Sequence, residues 1–248
     1  MDLGIHGRTA IVCASSRGLG LACAKALAAE GVDLVINGRD PEALAKAAKE
    51  IRALAPDIRV SPVLGSVTEP DVRADLVDAA GAADILVNNA GGPPPGDFHE
   101  WDRDTWLDAI DLNLLSAVEL IRLTVDPMAE RGFGRIVNIT SSAARVPIPV
   151  LGLSNATRAA LANFVFGLAP RYSRNGVTIN NILPGPFNTD RLRKAIGSTG
   201  LLNANNVAGR VGDPDELGAM CAFVCSRHSG YLTGQNIMMD GGLNPGNF

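Results

Sequence analysis

The 248-residue sequence has no basic run, no long apolar stretch and only four cysteines. Its formal net charge is −4. A nucleic-acid surface gathers Lys and Arg on one face, so nucleic-acid partners are excluded. No stretch approaches the ~18 uninterrupted apolar residues that a membrane helix needs. The opening MDLGIHGRTA lacks both the basic and the apolar segments of a secretory signal, and cytoplasm is the expected compartment. The cysteines are Cys13, Cys23, Cys221 and Cys225. Cys221 and Cys225 lie four apart in an apolar helical stretch and share one face. His6, His99 and His228 are scattered without ligand spacing, so no metal site is expected, and the cysteines read as buried, reduced thiols. No repeat, low-complexity tract or linker divides the chain. A chain of this length suits one domain, burying roughly 70–75% of its unfolded surface without disulfide or metal staples.

What is present is an alternation. Short β-branched runs predict strands over Thr9–Cys13, Asp33–Asn37, Arg59–Val63, Ile85–Asn88, Arg135–Ile139, Val177–Ile182 and Asn236–Met239. Segments of helical period between them predict helices over Leu19–Glu30, Pro41–Leu54, Asp71–Ala80, Arg103–Arg131, Ser154–Tyr172 and Pro214–Ser226. Asp40-Pro41 and Asp213-Pro214 each offer an N-cap followed by proline at the first helical position. Strands separated by helices imply parallel pairing through right-handed crossovers, hence a doubly wound, Rossmann-type α/β domain. The segment Asn188–Arg210 breaks the rhythm with Gly197, Gly200, Gly209 and several asparagines. It follows a strand end, where open α/β sheets bind ligands, and reads as a substrate lid over 188–210. The plainer alternative is a surface excursion.

The first strand runs through Ala14-Ser15-Ser16-Arg17-Gly18-Leu19-Gly20 into a helix. Glycines there let a pyrophosphate approach the backbone, and the helix N-terminus supplies N–H groups to it. Four further segments follow in order: Asn88-Asn89-Ala90-Gly91 with Asn113 in the next helix, Asn138-Ile139-Thr140-Ser141-Ser142, Asn180-Asn181-Ile182-Leu183-Pro184-Gly185-Pro186 with Thr189, and Gly234-Gln235 with Asp240-Gly241-Gly242. Singly, each could be an ordinary turn or cap. As an ordered set, from about residue 5 to about 243, they resemble the short-chain dehydrogenase/reductase family.

That resemblance implies a seven-stranded parallel sheet and hydride transfer between a nicotinamide and a carbonyl or alcohol. By match, Ser16, Arg17, Gly18, Leu19 and Gly20 line the pyrophosphate turn, and Ser66 and Val67 stand at the adenine. Asn89, Ala90 and Gly91 border the cofactor cleft, while Pro184, Gly185 and Thr189 flank the nicotinamide end. Ser141 matches the serine that binds the substrate oxygen, and Asn113 the asparagine of the proton relay. The family pairs its two long helices across two-fold axes, so a homo-oligomer, a tetramer, is expected. A 3-oxoacyl-type substrate rests on analogy alone. The cofactor reads as NADP(H). An acidic residue about 20 positions past the glycine-rich turn selects NAD, but Gly38 stands there, with Arg39 beside it and Arg17 in the turn. Two guanidiniums suit a 2′-phosphate.

Three positions depart from the family. Ala14 replaces the first glycine of the turn, and Ser66 replaces an aspartate. The catalytic Tyr-x-x-x-Lys is Ser154-Asn155-Ala156-Thr157-Arg158. A phenol begins near pKa ~10 and can be tuned, whereas an aliphatic hydroxyl is a poor proton donor. Arg158 can still bond a ribose but does not titrate. Neither Tyr172 nor Tyr231 fills the gap by position, which leaves a water relayed through Ser154, or a group near His99. The alternative is a nucleotide-binding sensor or assembly subunit without turnover. Gly92-Pro93-Pro94-Pro95-Gly96 forms a stiff rim by the cleft.

Overall fold

Strands covered by helices on both faces must be apolar on both sides, and here β4 (Ile85–Asn88), β5 (Gly134–Ile139) and β6 (Val177–Pro184) are buried at every position. The computed structural model describes residues 1–196 and 206–244. Together with β1 (Thr9–Val12), β2 (Asp33–Gly38), β3 (Val60–Leu64) and β7 (Asn236–Met239), these strands form one sheet, ordered β3-β2-β1-β4-β5-β6-β7. Every pairing is parallel. The strand order reverses direction between β1 and β4, and their carboxyl ends open a crevice there, as doubly wound sheets require.

Along the chain the helices are α1 (Gly18–Ala29), α2 (Pro41–Leu54), α3 (Pro70–Ala80), α4 (Arg103–Ile110), α5 (Ser116–Glu130), α6 (Gly152–Tyr172), α7 (Asp190–Ile196) and α8 (Pro214–Val224). Leu27, Ile51, Leu217 and Cys221 bury α1, α2 and α8 against one sheet face. Leu76, Leu120, Leu161 and Val165 bury α3, α5 and α6 against the other. Both predicted caps form. Asp40 accepts from the Glu42 and Ala43 N–H groups, and Asp213 makes a reciprocal capping box with Glu216. The four cysteines are free and buried. No helix among the described residues is long and apolar enough to cross a membrane.

Two elements differ from the sequence expectation. The single helix predicted over Arg103–Arg131 is α4 and α5 joined by a π turn, Asp111–Leu115. One extra residue is accommodated there, a distortion that periodicity does not register and that is common at functional sites. The excursion after β6 contains α7 and the bonded stretch 206–210, while 197–205 of the expected lid lies outside the described residues.

The turn after β1 holds the only non-glycine residue with positive φ among those described, Ala14 at φ 44°. Its carbonyl accepts from Asn89 Nδ2 at 3.2 Å, which holds it in place. An L-residue in this region carries roughly 1–2 kcal/mol of steric cost that glycine avoids, partly offset by glycine's greater unfolded-state entropy. Ala14→Gly is expected to stabilise the fold by about 0.5–1 kcal/mol, read as an increase in urea midpoint at unchanged slope. A lower midpoint would mean that the turn is unstrained.

Candidate active site

The crevice is built by locking the ends of β1, β2 and β4 together. Ser15 is buried; its hydroxyl donates to the Val12 carbonyl at 2.7 Å and accepts from the Asn37 N–H at 3.1 Å. Asn89 Nδ2 reaches back to the carbonyls of Cys13 and Ala14. α1 then starts so close to this turn that a Cβ on Gly20 would lie 2.4 Å from the Ala14 oxygen and 2.7 Å from Asn89 Nδ2. Only glycine fits. Leu19 packs on the core below, and Thr189 closes over Gly18 from the far side, 3.7 Å from where a Cβ would stand.

At the end of β2 the sterics are equally specific. A Cβ on Gly38 would lie 2.9 Å from both Cβ and Oγ of Ser16. A carboxylate side chain at position 38 would therefore displace Ser16. Arg17 Nη2 donates to Asp40 Oδ2 at 2.9 Å. The Asp40 carboxyl is held below its ordinary pKa by the Ala43 N–H first, with Arg17 contributing. Arg39 is exposed. Ser66 bonds Thr68 between hydroxyls at 2.8 Å, and Val67 beside it is buried. Pro184 is buried at the end of β6, and the Gly185 N–H donates to the Met239 carbonyl at 2.8 Å.

The departures from Tyr-x-x-x-Lys meet on one face of α6. Ser154 and Arg158 are both buried, and Arg158 Nε donates to Ser154 Oγ at 3.2 Å. Arg158 Nη1 donates to the Ile139 and Thr140 carbonyls, each at 3.0 Å, and Nη2 to the Ala90 carbonyl at 3.3 Å. Four of the guanidinium's five N–H groups are thus engaged, and one on Nη2 remains. Burial, and secondarily the charge of Arg191, lowers the Arg158 pKa to about 10. It stays charged at neutral pH.

Ser141 caps the short turn Ser142–Ala144, accepting from the Ala143 N–H at 3.1 Å, and that turn packs on α6. Asn113 sits in the π turn, buried; Nδ2 makes one long bond to the Ala109 carbonyl at 3.5 Å, and Oδ1 has no protein partner. A small cavity, about 20 Å³, touches Asn113, Asn88, Ala90, Ile139 and Arg158. That is room for one water. Tyr172 is far along α6, donating to Asp126, and Tyr231 is fully exposed. His99 lies in the exposed turn Phe98–Glu100, its ring edge-on to Phe98.

Two features escaped the sequence reading. Asn88, Asn138, Asn181 and Asn236 are in register across β4 to β7, and their amides bond in series at 2.8, 2.9 and 2.8 Å. The first three stood in the quoted motifs, but nothing in the sequence says that they adjoin. The second is Arg191, whose guanidinium lies across the cleft on Gly92 and Pro93, with Nη2 at 3.4 Å from the Pro93 carbonyl. In sequence it is indistinguishable from Arg193, which pairs with Asp190.

Removing Arg158 strands the buried carbonyls of Ile139 and Thr140 and the half-buried carbonyl of Ala90. Each unsatisfied group costs about 1–3 kcal/mol, so Arg158→Met is expected to cost about 3 kcal/mol or more in urea unfolding. Ser154→Ala removes one acceptor only and is expected to cost about 1 kcal/mol. Equal losses in the two variants would mean that the carbonyl bonds carry little.

Comparison with known proteins agrees with this architecture. The family model described as enoyl-(acyl carrier protein) reductase matches residues 13–244. Gluconate 5-dehydrogenase of Gluconobacter oxydans is 34% identical, the alignment covering 96% of this chain and 95% of that one. Acetoacetyl-CoA reductase of Cupriavidus necator is 33% identical, covering 96% and 99%. The crystal structure of L-sorbose reductase from Gluconobacter frateurii, complexed with NADPH and L-sorbose, superposes with a TM-score of 0.93 at 30% identity over 100% of both chains. A seven-stranded doubly wound sheet, a glycine-lined turn after β1 and this span of similarity place the chain in the short-chain dehydrogenase/reductase family of oxidoreductases.

Proposed function

We propose that the protein transfers hydride between NADP(H) and a carbonyl or alcohol substrate, with Ser154 and Arg158 in place of the family's tyrosine and lysine. The observation that carries the reading is the Ser154–Arg158 pair at the ends of β4 and β5, bonded at 3.2 Å beside the Asn113 cavity. The residues fit a dinucleotide. Gly91 bares its backbone, with nothing within 4 Å of a notional Cβ, and the steric closure of position 38 by Ser16 leaves no place for the carboxylate that selects NAD. Arg17 and Arg39 flank that point and favour a 2′-phosphate. The NADPH complex of L-sorbose reductase supports the same cofactor.

When bound, the cofactor gives or takes the hydride. In the reductive direction the substrate carbonyl gains a hydride at carbon and a proton at oxygen, leaving an alcohol and NADP⁺. Ser16, Arg17, Gly18, Leu19 and Gly20 hold the pyrophosphate, Ser66 and Val67 the adenine end. Asn89, Ala90, Gly91, Pro184, Gly185 and Thr189 line the rest of the cleft. Arg158 offers its remaining N–H to the ribose. Because Ser154 Oγ accepts from Arg158 Nε, its own O–H is turned outward as a donor. Ser141 binds the substrate oxygen, and Asn113 orders a water that supplies the proton through the Ser154 hydroxyl. Residues 188–196, the described start of the expected lid, border the substrate side.

The assembly is a homotetramer in the cytoplasm, where reduced thiols persist. Leu115 and Leu123 on the α5 side and Phe164 and Phe166 on α6 remain exposed in the single chain, which is what paired long helices would cover. Light scattering at micromolar concentration should give four times the 25.8 kDa chain mass; a monomer refutes the assembly.

A screen of carbonyl compounds with NADPH beside NADH tests the chemistry. NADPH is expected to be the preferred donor, with Arg17→Ala and Arg39→Ala each weakening NADPH but not NADH binding. Ser154→Ala is expected to slow turnover about tenfold, below the ~10²–10⁴-fold typical of losing a general acid. Equal use of the two donors would sink the cofactor reading, and unchanged turnover in Ser154→Ala would sink the relay.

A further inference from the structure

The α7 segment spans the cleft with two different residues. Thr189 stands over Gly18, on the pyrophosphate side. Two positions later, Arg191 reaches the opposite rim. A Cβ on Gly92 would lie 2.4 Å from its Nη2 and 2.7 Å from its Nη1, so glycine at 92 is what admits the guanidinium. The residue as a whole is exposed, yet its guanidinium is partly buried on the backbone of the rim and makes one long bond, to the Pro93 carbonyl at 3.4 Å.

Charge is unbalanced at this end of the cleft. Asp190, the adjacent acid, is taken by Arg193 at 2.8 Å. Among the described residues no carboxylate pairs with Arg191 or with Arg158, although seven other arginines do have one. The two guanidiniums are close enough to sense each other, since Arg191 depresses the Arg158 pKa. A pair of cations without a counterion, one of them buried, is a poor arrangement unless an anion completes it.

The rim that Arg191 touches belongs to the substrate side. Gly96 donates from its N–H to the Val150 carbonyl at 3.0 Å, and Trp101 packs on Gly152 at the start of α6. The loop after β4 is thereby joined to the loop that carries Ser141 and leads into Ser154. Val146, Ile148 and Val150 of that second loop are exposed and apolar.

We propose that Arg191 is a specificity-determining residue that binds a carboxylate of the substrate, so that the protein acts on oxo acids and their hydroxy acids. The planar fork gives two parallel N–H groups to a carboxylate, and Arg158 adds a second positive charge behind it. The inference rests on the oxidoreductase reading above for its chemistry, but not for its binding. The other anion in reach is the cofactor's own pyrophosphate, and the experiment separates the two.

Wild type, Arg191→Met and Arg191→Lys are compared on 2-, 3- and 5-oxo carboxylates, each beside its methyl ester, with NADPH. NADPH affinity is measured separately by fluorescence titration. In the wild type, kcat/KM is expected to favour acid over ester. In Arg191→Met that ratio should fall about 10- to 100-fold, the effect of losing a charge-assisted bond. Arg191→Lys should restore part of the ratio, because charge is kept and the fork is lost. NADPH affinity should move less than twofold. A parallel fall for acid and ester together with weakened NADPH binding would assign Arg191 to the pyrophosphate and overturn the proposal. So would a wild type that prefers the esters. If no compound turns over, the same carboxylates are titrated calorimetrically into the NADP-loaded protein. Binding that is lost in Arg191→Met keeps the carboxylate site while the oxidoreductase reading falls, and absence of binding by every carboxylate overturns the site as well.

Discussion

The arrangement of the site depends on one buried guanidinium. Parallel strands end with carbonyls that no neighbour satisfies, and β4 and β5 end inside the molecule, beneath α6. Arg158 meets three of these carbonyls, those of Ala90, Ile139 and Thr140, while its Nε bonds Ser154 one turn earlier. Burying a charge is costly, and the compensation here is geometric: a planar fork reaches several acceptors from one side chain. A lysine ammonium has three donors from a single nitrogen and could not bridge carbonyls on two strands in this way. The substitution therefore changes the architecture of the site as well as its acidity.

The same end of the sheet is held from below by the amides of Asn88, Asn138, Asn181 and Asn236. Asn88, Asn138 and Asn181 each donate to the next side chain across the strands, so most of these polar groups are carried through an otherwise apolar sheet with their bonds made. The series ends at Asn88, whose Oδ1 is unpaired at the cavity that also meets Asn113 and Arg158. The ladder, the π turn and the guanidinium thus converge on one small cavity whose other walls are largely apolar. Fixing several backbone ends against each other is what gives a hydroxyl on α6 a defined direction.

On the proposed reading, replacing a phenol by a serine hydroxyl shifts the burden of proton transfer from a titrating group to a relay. Ser154 accepts from Arg158 and is left with a single O–H to offer, which orients it without making it acidic. The positive charge behind it persists at neutral pH, since burial brings the Arg158 pKa only to about 10. A persistent positive charge of this kind favours developing negative charge on a nearby oxygen, and on the proposed reading the proton comes from water.

Much of this protein was legible from sequence alone. Alternating β-branched and helical segments determined the parallel sheet, because apolar periodicity reflects which faces are buried. Asp40-Pro41 and Asp213-Pro214 determined two helix starts, because capping is local. The glycine at position 38 was read as a missing carboxylate; the fold adds that Ser16 closes the space, a contact across 22 residues of chain. The π turn at Asn113 was invisible, since one added residue leaves the apolar pattern intact. Tertiary structure alone decided that Arg158 would spend most of its donors on strand ends, that four asparagines from four strands would align, and that Arg191 rather than Arg193 would cross the cleft. Each depends on which backbone groups are left unsatisfied when distant segments meet, and a one-dimensional pattern records the residue but not the partner that folding brings to it.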